Sequence, residues 1–198
     1  QRPRISHGLL REARRDGEAT LRRLDRFLQE GLPVLVCEPS CASALTDDLP
    51  DLIGDEALGE RVRAGVLMID VFLADELAAG GGSVALTSPA SRVLIHGHCH
   101  QKALYGTAAM RRLLGEVPGL GIEELDSGCC GMAGSFGHEA EHAALSKKIA
   151  FQRLLPAIEA AGPGAAVLAC GFSCRHQLAD LAGIEAKHLV QLLRAADH

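Results

Sequence analysis

Four short strand-like runs in this sequence, three of them apolar, each lead into cysteine. Pro33-Val34-Leu35-Val36-Cys37 is followed by Cys41, and Arg92-Val93-Leu94-Ile95-His96 by Cys99. Gly121 to Leu125 runs into Cys129 and Cys130, and Ala165-Ala166-Val167-Leu168-Ala169 into Cys170 and Cys174. The first two runs read as buried strands and the other two as strands. The stretches between them are helical in pattern, and strands alternating with helices imply a mostly parallel sheet with helices on its faces. In such a sheet the strand C-termini line one edge, where ligands bind. Cysteine groups separated by about 30 to 40 residues in the sequence therefore meet in space.

The helical stretches come from spacings of three and four. Ile5 to about Glu30 is expected as one helix, with Leu21, Leu24 and Leu28 on a face and Gly17 weakening its middle. Ser40 is the expected cap of a helix starting at Cys41, and Asp47 to Asp55 reads as a polar connection. Leu58, Val62, Val66, Ile69 and Leu73 mark the buried face of one longer helix, which ends in Gly80-Gly81-Gly82. Further helices are expected from Gln101 to Leu114 and from His138 to Ala161, the latter kinked by Pro156 and with Phe151 on its apolar face. The last two begin near Cys174 and at Leu189.

Seven cysteines in 198 residues, an odd number, do not suit a disulfide framework. Cys129 and Cys130 are adjacent, and vicinal cysteines pair poorly with each other because the ring is strained. Their loop, Leu125 to Gly137, carries Gly128, Gly131, Gly134 and Gly137, so the backbone is free to approach a bulky ligand. Helices that start beside the cysteines favour thiolate. Thiolates are soft ligands suited to zinc or iron–sulfur. The second half supplies five candidates, Cys99, Cys129, Cys130, Cys170 and Cys174, one more than a zinc tetrahedron or an ordinary cubane cluster uses. Cys37 and Cys41 are a second candidate site. His98, His100 and Gly131 are placed around the ligands, His96 is read as structural, and Glu38 as a hydrogen-bonding partner of its own loop. Reduced thiols in a tight core and a thiol–disulfide catalyst working through Cys129 and Cys130 are the other readings.

The net charge of −5 and the lack of a basic run argue against nucleic-acid binding. No uninterrupted apolar stretch is long enough for a membrane-spanning helix. No Gly-x-Gly-x-x-Gly follows a strand, so nothing places FAD or NAD here. No signal peptide is visible, and a chain beginning at Gln1 reads as a piece of something longer.

The wording His96-Gly97-His98-Cys99-His100-Gln101-Lys102 and Asp126-Ser127-Gly128-Cys129-Cys130-Gly131-Met132-Ala133-Gly134-Ser135-Phe136-Gly137 resembles the cysteine-rich CCG domain. That domain occurs in heterodisulfide reductase, in the iron–sulfur subunits of glycolate oxidase and anaerobic glycerol-3-phosphate dehydrogenase, and at the C-terminal end of fused FAD-linked oxidases of the D-lactate and D-2-hydroxyglutarate dehydrogenase type. The resemblance covers nearly the whole chain. It implies two similar α/β halves, with 1–83 the first and 84–198 the second. Glu38-Pro39-Ser40-Cys41 resembles the end of the first motif. Arg2-Pro3-Arg4-Ile5-Ser6 resembles the residues after a first Cys-Cys-Gly, so the first half is truncated at its N-terminus. The pattern departs at Cys170 and Cys174, which are separated by three residues where the family commonly has two. What the resemblance implies is an iron–sulfur electron-transfer module of a FAD-linked 2-hydroxyacid dehydrogenase or oxidase, with no catalytic residue of its own; the alternative is a zinc-bound or metal-free structural domain that docks the flavin domain of the same oxidoreductase. Its implied partners are a FAD-binding oxidase domain and a ferredoxin-like domain of the parent chain, and an electron acceptor such as quinone. The implied location is cytoplasmic, with membrane association through the parent complex.

Overall fold

The four runs are strands, the first of them part-exposed rather than buried, and a fifth strand lies within a stretch that the sequence pattern assigns to helix. The computed structural model describes residues 1–80 and 85–196. Its strands are β1 Val34–Val36, β2 Val66–Met68, β3 Leu86–Thr87, β4 Arg92–Ile95, β5 Gly121–Glu124, β6 Ala166–Leu168 and β7 Arg194–Ala195. The chain divides into two units, Gln1–Phe72 and Leu73–His198. The glycine run read as the internal boundary lies mostly outside the described residues.

In the first unit β1 and β2 pair in parallel, with Val34 opposite Val66 and Val36 opposite Met68. The helix expected from Leu58 to Leu73 is therefore three elements: Glu56–Gly65, β2 and Ile69–Ala78. Val66-Leu67-Met68 fits an apolar helix face and a buried strand equally well, and pairing with β1 decides the matter. The long N-terminal helix is also divided, into Arg2–Ser6 and Leu10–Gln29. The buried stripe of the second piece is Ala13, Gly17, Leu21 and Asp25. Gly17 is a contact rather than a weak point, because a Cβ there would come within 2.5 Å of Leu49 Cδ2. Leu21, Leu49, Ile53, Leu58, Val62 and Val66 form the core of this unit. The expected polar connection is instead helical, as a π-turn over Ala44–Asp48 and a helix over Leu49–Ile53. The helix at Cys41 starts at Pro39, and its cap is Glu38, not Ser40. The Glu38 carboxylate accepts the Cys41 N–H at 2.8 Å.

In the second unit β5, β4 and β6 form a parallel sheet with β4 in the centre. Ile95 lies opposite Glu124 on one side and Leu168 on the other, so the three strands end level. Lys187 continues the sheet beyond β6, its N–H donating to the Val167 carbonyl at 2.8 Å. β3 and β7 make a separate antiparallel pair. Side chains alternate across the central sheet as the pleat requires. Val93, Ile95 and Leu168 pack with Met110, Leu113, Leu114 and Leu189, while Leu94, Val167 and Ala169 pack with Leu125, Leu154 and Leu178.

The helix expected from Gln101 to Leu114 is two, Cys99–Leu104 and Ala108–Gly115, parted at Gly106, whose φ is +73°. The stretch from His138 to Ala161 breaks between Gln152 and Leu154. That is where Pro156 requires it, since the proline ring clashes with the carbonyl four residues back. Phe151, expected on the apolar face, is exposed. The helix expected at Cys174 spans Phe172–Ala182, so Cys174 lies inside its first turn. The last helix is short, Leu189–Leu192, and is capped by His188. No described helix is long and apolar enough to cross a membrane.

Candidate metal centre

Three loops leave the level ends of β4, β5 and β6, and each delivers cysteine to the same place. After β4 the chain turns through His96-Gly97-His98, and Cys99 opens the next helix. His98 caps that helix, its Nδ1 accepting the His100 N–H at 3.2 Å. After β5 comes the glycine-rich loop with Cys129 and Cys130. After β6 the turn at Gly171 starts the helix that carries Cys174. A Cβ at Gly171 would overlap the His98 ring, so the first and third loops touch there because the residue is glycine.

The Cys129-Cys130 loop is fixed from beneath. Gly131 has φ +93°, and a side chain on it would strike the Ser146 carbonyl. Its N–H points back to the Cys129 sulfur at 3.3 Å. Gln177, 5% exposed, donates to the Cys130 carbonyl at 3.1 Å and to Ser146 Oγ at 3.0 Å. From outside, Lys102 Nζ donates to the Gly128 carbonyl at 3.1 Å, and Arg153 pairs with Asp126.

The sulfurs form a row graded in depth. Cys99 is exposed and Cys129 half-buried, while Cys130 and Cys174 are 4% and 1% exposed. The Cys129 thiol is pulled down to about 2, first by the S–H of Cys130, then by that of Cys99 and the Gly131 N–H. Cys99 is pushed up by its hydrogen bond to Cys129 and by burial. Cys130 is pushed up by its hydrogen bonds to Cys129 and Cys174. Cys174 is held well below the usual thiol range by the Cys130 S–H, against the effect of burial. Cys129 and Cys174 are thus favoured as thiolates, with Cys99 and Cys130 as the neighbouring thiols.

His96 joins this row. Its side chain is 1% exposed, and one of its ring nitrogens lies within 4.8 Å of the Cys130 and Cys174 sulfurs, which lie equally close to each other. Its Nδ1 is 2.6 Å from Ser127 Oγ. The sequence alone reads His96 as structural and gives Gln177 no role. Position directly after a buried strand is the available signal for His96; nothing in the sequence marks Gln177.

Cys170 is buried among Ile95, Leu168 and Leu189 in the other core cluster, and its carbonyl accepts from Arg175 at 2.8 Å. Cys37 and Cys41 are both exposed. Among the described residues, three groups have ligand atoms within 4.8 Å of one another and could hold a metal ion: His96-Cys130-Cys174, His98-Cys99-His100 and the half-exposed Glu139-Glu141-His142.

The chain has named relatives. It is 27% identical over 195 residues to a subunit of the anaerobic glycerol-3-phosphate dehydrogenase of Escherichia coli strain K12, covering 98% of this chain and 48% of that relative. It is 31% identical over 194 residues to D-2-hydroxyglutarate dehydrogenase of the same strain, covering 94% of this chain and 18% of that enzyme. The D-2-hydroxyglutarate dehydrogenase of Pantoea ananatis matches at 30% over 187 residues, with 94% of this chain and again 18% of the enzyme covered. The chain therefore spans about half the length of the first relative and less than a fifth of the other two. No protein-family model matches it, and no solved structure matches it.

Proposed function

We propose that this chain is the electron-transfer module of an oxidoreductase and that its second unit holds an iron–sulfur centre on Cys99, Cys129, Cys130 and Cys174. The observation that carries the reading is the convergence of these four sulfurs from three loops at one sheet edge. Four cysteines are the ligand set of common iron–sulfur clusters. The similarity to dehydrogenase sequences supports a redox setting. Such a centre, when bound, takes up and releases single electrons.

The protein's own part is positional. Gly131 and Gln177 hold the Cys-Cys loop, Gly171 brings Cys174 beside His98, and the Gly131 N–H faces the Cys129 sulfur. Hydrogen bonds to sulfur and burial set the potential of such centres. The parent protein in this proposal oxidises a 2-hydroxy acid at a flavin on another domain, and the acceptor is a quinone, ferredoxin or similar carrier. The CCG resemblance supports that assignment, as it does the reading of the chain as two related halves.

Anaerobic purification with iron, zinc and acid-labile sulfide measured together tests the proposal. Iron and sulfide in equal amounts, lost in Cys129→Ser and Cys130→Ser, are expected. One zinc per chain and no sulfide would reassign the site to a structural scaffold.

A further inference from the structure

The deepest donors at this site are not all sulfur. His96, Cys130 and Cys174 are each almost wholly buried, and their ligand atoms lie within 4.8 Å of one another. His96 Nδ1 is engaged by Ser127 Oγ at 2.6 Å, so Nε2 is the nitrogen left to face the sulfurs. Nε2 is buried, forms no hydrogen bond of good geometry, and has the Cys174 sulfur as its polar neighbour. A buried nitrogen held beside sulfur without a well-formed hydrogen bond is under-satisfied. A metal ion is a partner that this lone pair and two sulfurs can share.

We propose that His96 Nε2 is a ligand of the inorganic centre, bound to the same metal ion as the Cys130 and Cys174 sulfurs, and that Ser127 is its positioning residue. The inference rests on the reading of this unit as a metal-holding module. A metal-bound histidine usually donates its other ring N–H to an acceptor, which fixes the tautomer and the ring plane. Ser127 Oγ stands where that acceptor is needed, and its backbone N–H is anchored on the Leu125 carbonyl at 2.8 Å. A neutral nitrogen donor adds no negative charge to the centre. It therefore places the potential higher than sulfur alone would, as in two-iron centres where histidine replaces cysteine.

The test uses the intact protein, purified anaerobically, grown with ¹⁵N-labelled histidine and reduced to a paramagnetic state. Pulsed electron paramagnetic resonance is expected to detect a directly bonded ¹⁵N, and His96→Ala to remove the signal while circular dichroism stays unchanged. Iron and sulfide without that coupling in the wild type would overturn the inference and leave the proposed function standing. Absence of iron and sulfide would instead defeat the proposed function. The inference is then read on Co²⁺-loaded protein, where His96→Ala shifts the visible ligand-field bands toward a sulfur-only pattern. In the same measurement Ser127→Ala lowers Co²⁺ affinity by roughly tenfold or more, as loss of a hydrogen bond behind a metal-bound histidine does. Wild-type spectra and affinity in both variants would overturn it.

Discussion

The two units use the same local pattern and obtain different results. In each, a short parallel strand ends and cysteine follows. In the second unit three such strands end level, and four cysteines and a buried histidine collect beyond them. In the first unit there are two strands, only one is followed by cysteine, and Cys37 and Cys41 are exposed. The difference is that, among the described residues, the strand-end cysteines of the second unit are brought together and buried while Cys37 and Cys41 stay exposed. In the second unit the convergence comes from a third strand in register, and the burial from a loop held down from behind, as Gln177 holds the one at Cys130.

Four tests probe that contrast. The largest effect is expected for Gly131→Ala, which combines a disfavoured backbone angle with a clash against the Ser146 carbonyl and costs about 3 kcal/mol. Its counterpart in the first unit, Gly54→Ala, has the same kind of backbone angle but open space around it, and costs about 1 kcal/mol. Chemical denaturation of the two variants measures the gap, and equal losses would mean that the Cys-Cys loop is not tightly held. Gln177→Ala comes next, at about 2 kcal/mol, because it leaves the buried Cys130 carbonyl and Ser146 hydroxyl without their donor. Bound metal should fall with it.

Asp25→Asn acts on the first unit alone and costs about 1 kcal/mol at neutral pH. Asp25 accepts from Arg61 Nε and a terminal nitrogen at 2.7 and 2.9 Å, and that guanidinium holds its carboxyl below the usual range. A depressed carboxyl contributes stability above its unfolded value and loses it as the pH falls through the folded one. The variant should therefore match wild type in strong acid and fall behind above about pH 4. Denaturant midpoints taken between about pH 2 and pH 7 check the sign. Finally, Cys41→Ser should leave metal content at the wild-type level, whereas Cys174→Ser should abolish it. Elemental analysis that ranks the two alike would remove the distinction between the units.

Much of this is legible in the sequence, for identifiable reasons. The runs at Val93 and Val167 are short, apolar and bounded by turns, the one at Ile122 is short and follows the Pro118-Gly119 turn, and the gathering of the cysteines beyond them follows from the parallel topology. β2 is not legible, because Val66-Leu67-Met68 carries both periods at once and only its pairing with β1 settles which wins. The sequence points to Ser40 rather than Glu38 as a helix cap because glutamate is an uncommon one, although its side chain reaches the Cys41 N–H. His96 reads as structural because a histidine ending a strand says nothing of which ring nitrogen is occupied. That depends on Ser127, a residue 31 positions away.

The graded depth of the sulfurs gives the second unit a front and a back. A reagent arriving from water meets Cys99 first and Cys129 next, and it reaches Cys130 and Cys174 only when the surrounding packing opens. Alkylation of metal-free protein should therefore proceed in that sequence, and oxygen damage to loaded protein should start from the same side. In the proposed electron-transfer role, the Cys99 end is where the least protein would stand between the centre and a carrier.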